Sequence, residues 1–81
     1  MTNSSSSAPE QLIRLLAPID DEARAMARRL CRSRADGDDL FQESALRAMR
    51  KLHTPRDESR FRWWFYRVLF SVHRNRVRRD T

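Results

Sequence analysis

The chain has 81 residues, one glycine, three prolines and a net charge of +6, and a chain this short buries only about 60% of its unfolded surface, so a stable core depends on well-packed helices. Cys31 is the only cysteine, which excludes a disulfide framework and a cysteine zinc set. No apolar run reaches the ~18 residues of a membrane span, and the first residues lack a signal peptide's basic and apolar regions, so a cytoplasmic location is expected.

Leu, Ala, Arg and Met are abundant and favour helix, and no alternating apolar-polar run marks a strand. The expected fold is all-α, a compact bundle of three to four helices spanning residues 9–80 behind a polar, disordered tail at 1–8. Ser7 is a cap for a first short helix over about 10–17, with Pro9 and Glu10 in its first turn. Pro18 ends or kinks that helix. Asp20, Asp21 and Glu22 then favour the positive end of a second helix over about 19–32. "RSRADGDD" is read as a turn, and a third helix is expected over about 36–52. The polar stretch "HTPRDES" is a loop, and the fourth helix covers about 60–79.

The third helix divides into two faces. Phe41, Ala45, Ala48, Met49 and Leu52 form an apolar stripe. Asp39, Gln42, Glu43 and Leu46 share the other side, which is either a solvated face or a docking surface for a basic partner. Asp36, Asp38, Asp39 and Glu43 are spaced for helix capping better than for a metal loop, since the glycine is misplaced for a calcium-binding hand. Cys31, near the end of the second helix, is expected to be a small buried apolar residue. His53 and His73 have no Cys or Ser partner, and there is no glycine-rich phosphate loop. No catalytic residue, metal or cofactor is expected, and the chain does not read as an enzyme.

Charge is distributed unevenly. Residues 1–46 carry six arginines against eight acids, whereas residues 47–81 carry eleven Lys and Arg against three acids. A basic half suits phosphate, although a solvated basic face gives the same count. The stretch "RFRWWFYRVLF", residues 60–70, contains every aromatic residue of the chain except Phe41. At ~100° per residue, Phe61, Phe65, Val68 and Val72 fall on one line, with Trp64 and Leu69 beside it. Trp63, Tyr66, Phe70 and Val77 fall opposite, among Arg62, Arg67, His73, Arg74 and Arg78. Either the helix is buried on two sides, or its second face offers π-surfaces and cations to single-stranded nucleic acid.

"SRADGDDLFQESALRAMRKL" followed by "ESRFRWWFYRVL" and "VRR" resembles region 2 of the bacterial sigma-70 family, and is most similar to the extracytoplasmic-function group. The resemblance spans about residues 10–80, and its specificity lies in "DLFQE" and "FRWWFYRV" occurring together at this separation. It implies a transcription initiation domain that docks on the β′ clamp helices of RNA polymerase and recognises and melts the promoter −10 element by capturing unpaired non-template bases. It further implies that the polymerase contacts are Asp39, Gln42 and Glu43, beside which the helical geometry sets Leu46. The −10 readers it implies are the loop of about His53–Arg60, including His53, Arg56, Asp57, Ser59 and Arg60, and the outer face of the last helix, with Arg62, Trp63, Tyr66, Arg67, Phe70 and Arg74. Trp64 matches the family's tryptophan at the border of the core, where it either packs or walls a flipped base. An anti-sigma factor is an implied partner.

The chain departs from the family pattern at Trp63, a threonine in the family, and at Leu69-Phe70-Ser71 and Asn75. These departures fall on the DNA-reading helix, not on the docking face. The family's region 4 does not follow in this sequence, so the chain is either an excised domain, which is the favoured expectation, or an unusually short protein. Two other readings are a protein-interaction module controlled by an anti-sigma factor and a helix-turn-helix binder of duplex DNA. The latter fits less well, because mixed arginines and aromatics suit unpaired bases better than a groove.

Overall fold

The computed structural model describes residues 8–51 and 58–80. Helix α1 spans Ala8–Leu16, a single 3₁₀ turn covers Ala17–Ile19, and α2 spans Asp20–Leu30. Helix α3 spans Arg34–Lys51 and α4 spans Glu58–Asp80. The architecture is the all-α bundle expected from the sequence. Ser7, the expected cap of the first helix, lies outside the described residues, as do Leu52 of the apolar stripe and the loop residues His53, Arg56 and Asp57.

In α1, Leu12 and Leu16 are one turn apart and both buried, and Ile19 continues their line. Pro18 lacks an N–H to donate, so the helix tightens into the 3₁₀ turn instead of running on. The three acids Asp20, Asp21 and Glu22 then occupy the first turn of α2, where the helix dipole favours them.

Helix α2 stops at Leu30, two residues before the expected end, and "RSRADGDD" is not a turn throughout. Only residues 31–33 are non-helical. Ser33 caps α3: its Oγ accepts from the Asp36 N–H at 3.0 Å, and its carbonyl accepts from the Gly37 N–H at 3.0 Å. Those two bonds satisfy N–H groups that a helix start otherwise leaves open. Gly37 thus sits inside a helix and is buried. A Cβ built on it would meet the Arg28 Cα at 2.5 Å. The glycine is there because α2 and α3 cross at backbone distance, which its helix propensity alone does not reveal. An Arg28–Asp38 ion pair of 2.8 Å ties the same crossing.

The buried line of α3 is Gly37, Leu40, Phe41, Ser44 and Ala48. The expected stripe is therefore rotated: Phe41 and Ala48 are core residues, while Ala45 and Met49 are half-buried at its edge. Ser44 is fully buried, and its hydroxyl donates to the Leu40 carbonyl at 2.8 Å. The bond leaves no orphan hydroxyl in the core, which is how a polar residue comes to occupy this position.

In α4, Phe61, Phe65, Val68, Leu69 and Val72 are buried. Phe65 lies 5.8 Å, centroid to centroid, from both Phe41 and Phe61, within the range at which aromatic pairs attract beyond their area. The Arg24 guanidinium lies 4.3 Å over the Phe41 ring and closes the outer side of this cluster. Among the described residues, no helix is long and apolar enough to cross a membrane.

Candidate functional site

Two surfaces stand out, and they share no residue. The first is the outer side of α3. Asp39, Gln42 and Leu46 are exposed there, and Glu43 is half-buried. The acids on this side are not free. Arg76 reaches across from α4, donating through Nη2 to Asp39 Oδ2 at 2.6 Å and through Nε to Glu43 Oε1 at 2.9 Å. Burial acts to lower the Arg76 pKa, but its hydrogen bonds to Asp39 and Glu43 outweigh it and hold the group above its ordinary value. The four acids of the region do not converge on one point, since Asp38 pairs with Arg28 while Asp39 and Glu43 pair with Arg76.

Arg76 is absent from the residues expected at this face. Asp39 and Glu43, spaced i and i+4, present two carboxylates on one side of a helix. Nothing in the sequence says which arginine of α4 meets them, because that depends on how the two helices cross. Cys31, expected to be a small buried residue, is half-buried and packs at the core margin. Burial, and then the neighbouring Asp36, push its thiol pKa up, which keeps it protonated and unreactive.

The second surface lies between α2 and α4. A cavity of about 330 Å³ is lined by Glu22, Met26, Arg62, Trp63, Tyr66, Arg67 and Phe70. Trp63 is 68% exposed and Phe70 43% exposed. Arg62, Arg67 and Arg74 are exposed on the same helix. The Arg62 guanidinium lies 5.9 Å from the centre of the Trp63 ring. This is the aromatic and cationic face expected of the segment, with one correction. Tyr66 is not an outward residue: it is only 8% exposed. Its hydroxyl donates to Glu22 Oε2 at 2.7 Å, and its ring stacks on Phe70 with centroids 6.4 Å apart. The helical wheel sets Tyr66 opposite the core, but α2 covers that side of α4 at this level.

Burial first, then the hydrogen bond and charge of Glu22, push the Tyr66 pKa up to about 12. The hydroxyl is therefore a fixed donor at neutral pH. Arg62 donates through Nη2 to the same Glu22 oxygen, also at 2.7 Å. Glu22 and Met26 are the site residues that the sequence does not announce. Glu22 reads as an ordinary first-turn acid, and its partners lie 40 and 44 positions away.

Trp64 is half-buried at the core margin, 5.8 Å from Phe61 between ring centroids, and lies on the α3 side of α4, away from the cavity. Ser59 and Arg60, expected in a loop, are exposed residues of the first turn of α4, which begins at Glu58. The remaining loop residues of the expected reader lie outside the described residues.

One family model matches, that of sigma-70 region 2, over residues 19–81. No curated protein and no solved structure matches the chain. The match covers well over half of the chain and includes α2, α3 and α4, the helices that build both surfaces. The chain belongs to the sigma-70 region 2 family, the transcription initiation domain that binds RNA polymerase and takes part in promoter recognition.

Proposed function

We propose that the domain docks on the β′ clamp helices of RNA polymerase through Asp39, Gln42, Glu43 and Leu46, and captures unpaired non-template bases of the −10 element on α4. The observation that carries this reading is the α2–α4 cavity: two exposed aromatic rings at its rim, arginines beside them, and an enclosed tyrosine behind. Large aromatic side chains held at a surface cost solvation unless something covers them. Stacking on such rings returns roughly 1–3 kcal/mol per base, against a few kcal/mol for extruding a base from the duplex. A cavity of this kind offsets most of one extrusion, and polymerase binding supplies the rest.

The roles divide accordingly. Arg60, Arg62, Arg67 and Arg74 hold the strand by its phosphates. Trp63 and Phe70 stack on bases, and Tyr66 backs them from inside the cavity. Trp64 stabilises the helix from the core side. Ser59 and the segment around His53, Arg56 and Asp57 meet the strand where it enters α4. Docking on the acidic face draws the clamp-helix cations into competition with Arg76 for Asp39 and Glu43. An anti-sigma factor would act by covering one of these two surfaces.

The test is a selection from random single-stranded and duplex DNA libraries, offered together, by a bacterial RNA polymerase core mixed with the chain. A short shared motif should emerge with the mixture and not with the core alone. Enrichment of duplex over single strand, or no motif, removes base capture. Loss of the motif when Asp39 and Glu43 are changed to Asn and Gln places docking on α3.

A further inference from the structure

We propose that Glu22 decides which base the α2–α4 cavity admits, accepting bases with an exocyclic amino group and turning away thymine. The proposal rests on the base-capture reading and adds a residue from α2 to it. The lining of the cavity is mostly apolar, and its polar groups are one carboxylate, one phenol, two guanidiniums and the indole N–H of Trp63. The Tyr66 hydroxyl and Arg62 Nη2 both donate to Oε2 of Glu22, each at 2.7 Å. Those two bonds use the phenol's only donor and anchor the carboxylate at Oε2. Oε1 receives no hydrogen bond from the described residues, so it is the acceptor left for a ligand.

An ionised carboxylate accepts and never donates. Cytosine, adenine and guanine each present an amino group, and pairing of Glu with the cytosine amine is a familiar base contact. Thymine has no amino group, and its ring N–H lies between two carbonyl oxygens. Against the anchored carboxylate those oxygens meet like partial charge. Arg62 is held by Glu22, and Arg67, exposed on α4 at the edge of the cavity, has the strand's phosphates as its role in this reading. Stacking on Trp63 and Phe70 takes any base, so the selection falls to the carboxylate.

The experiment measures fluorescence anisotropy of labelled oligonucleotides of about twelve residues with the full chain at neutral pH. The arms are oligo-dC, oligo-dA, oligo-dT and an abasic strand with the same number of phosphates. Oligo-dC and oligo-dA should bind on the order of tenfold more tightly than oligo-dT, the scale of a good side-chain–base contact, with the abasic strand weakest. Glu22→Gln offers a donor as well as an acceptor, so it should bring oligo-dT up towards oligo-dC. An abasic strand that binds as tightly as oligo-dC removes base capture and this proposal together. Oligo-dC and oligo-dT equal to each other but well above the abasic strand leaves base capture standing and removes the role of Glu22. So does a preference that survives Glu22→Gln in a folded variant, or oligo-dA that groups with oligo-dT, which would mean sorting by size. The wild-type preference needs no variant, so a poorly folded Glu22→Gln does not blunt the test.

Discussion

Arg76 donates to Asp39 at 2.6 Å, joining the basic helix α4 to the acidic face of α3. Its guanidinium also lies 2.7 Å from Glu43. A face that the sequence presents as an open acidic patch is in the folded chain a three-residue ion cluster. Its acids differ in setting: the Asp39 side chain is 70% exposed and that of Glu43 36%.

The difference separates two charge reversals. Both Asp39→Lys and Glu43→Lys should weaken polymerase binding in a pull-down with core enzyme. Asp39→Lys should cost at most about 1 kcal/mol of stability, as exposed pairs do. Glu43→Lys sets a like charge against a half-buried guanidinium and should cost about 1–2 kcal/mol, between the exposed and buried limits. Arg76→Gln frees both acids, so polymerase binding should tighten. Weaker binding by Arg76→Gln would show that the guanidinium orders the acids for docking instead of competing for them.

Gly37→Ala sets helix propensity against packing. Alanine in a helix interior is favoured over glycine by about 1 kcal/mol. The added Cβ would lie 2.5 Å from the Arg28 Cα and 2.9 Å from its backbone nitrogen. The obstacle is main chain and cannot rotate away, and overpacking of this kind costs roughly 1–3 kcal/mol. Packing should win, and thermal melts should show a lower transition for Gly37→Ala. A higher transition would mean that the α2–α3 crossing is looser than described.

The core was legible in the sequence where one helix alone determines it. The i, i+4, i+7, i+11 line of Phe61, Phe65, Val68 and Val72 is buried as its spacing requires. The line of α3 was legible only in part, because Leu40 follows two acids and Ser44 is polar, so neither reads as core. Both are fully buried. Helix bounds shifted where capping decided them, as at Ser33. The candidate site was legible as residue types, in the arginines and aromatics of α4. Its closure was not, because Glu22, Tyr66 and Arg76 acquire their partners only when helices distant in sequence cross.

The aromatic residues of α4 divide by exposure, and their truncations should divide with them. Phe65 is fully buried against two phenylalanines, so Phe65→Ala should cost about 3–5 kcal/mol as a core truncation. Trp63 is 68% exposed, and Trp63→Ala should leave the melting temperature nearly unchanged. Binding to single-stranded DNA should follow the opposite order, with Trp63→Ala losing about 1–3 kcal/mol. Arg67→Ala or Arg74→Ala should weaken binding to all sequences alike and lower the salt dependence by about one phosphate. Melts paired with anisotropy decide the matter. Equal destabilisation by Trp63→Ala and Phe65→Ala, with no separate loss of DNA binding, would make the whole cluster core.

Tyr66 predicts how stability depends on alkaline pH. It is the only tyrosine in the chain, so tyrosinate absorbance reports this one group. Its pKa in the folded chain is pushed up to about 12, by burial first and then by Glu22, while an unfolded tyrosine titrates at about 10. The folded state therefore keeps its proton where the unfolded state loses it. The contribution is fully present below pH ~10 and is lost as pH rises towards ~12. Denaturant titrations through this window should show falling stability, with tyrosinate appearing as the helices are lost. Tyr66→Phe should flatten the dependence across the window. In Glu22→Gln the tyrosine should titrate lower than in the wild type, since the charge of the carboxylate is gone. Tyrosinate forming near pH ~10 in a chain that is still fully helical would place the hydroxyl in water, and the α2–α4 cavity would then lack its Glu22–Tyr66 wall.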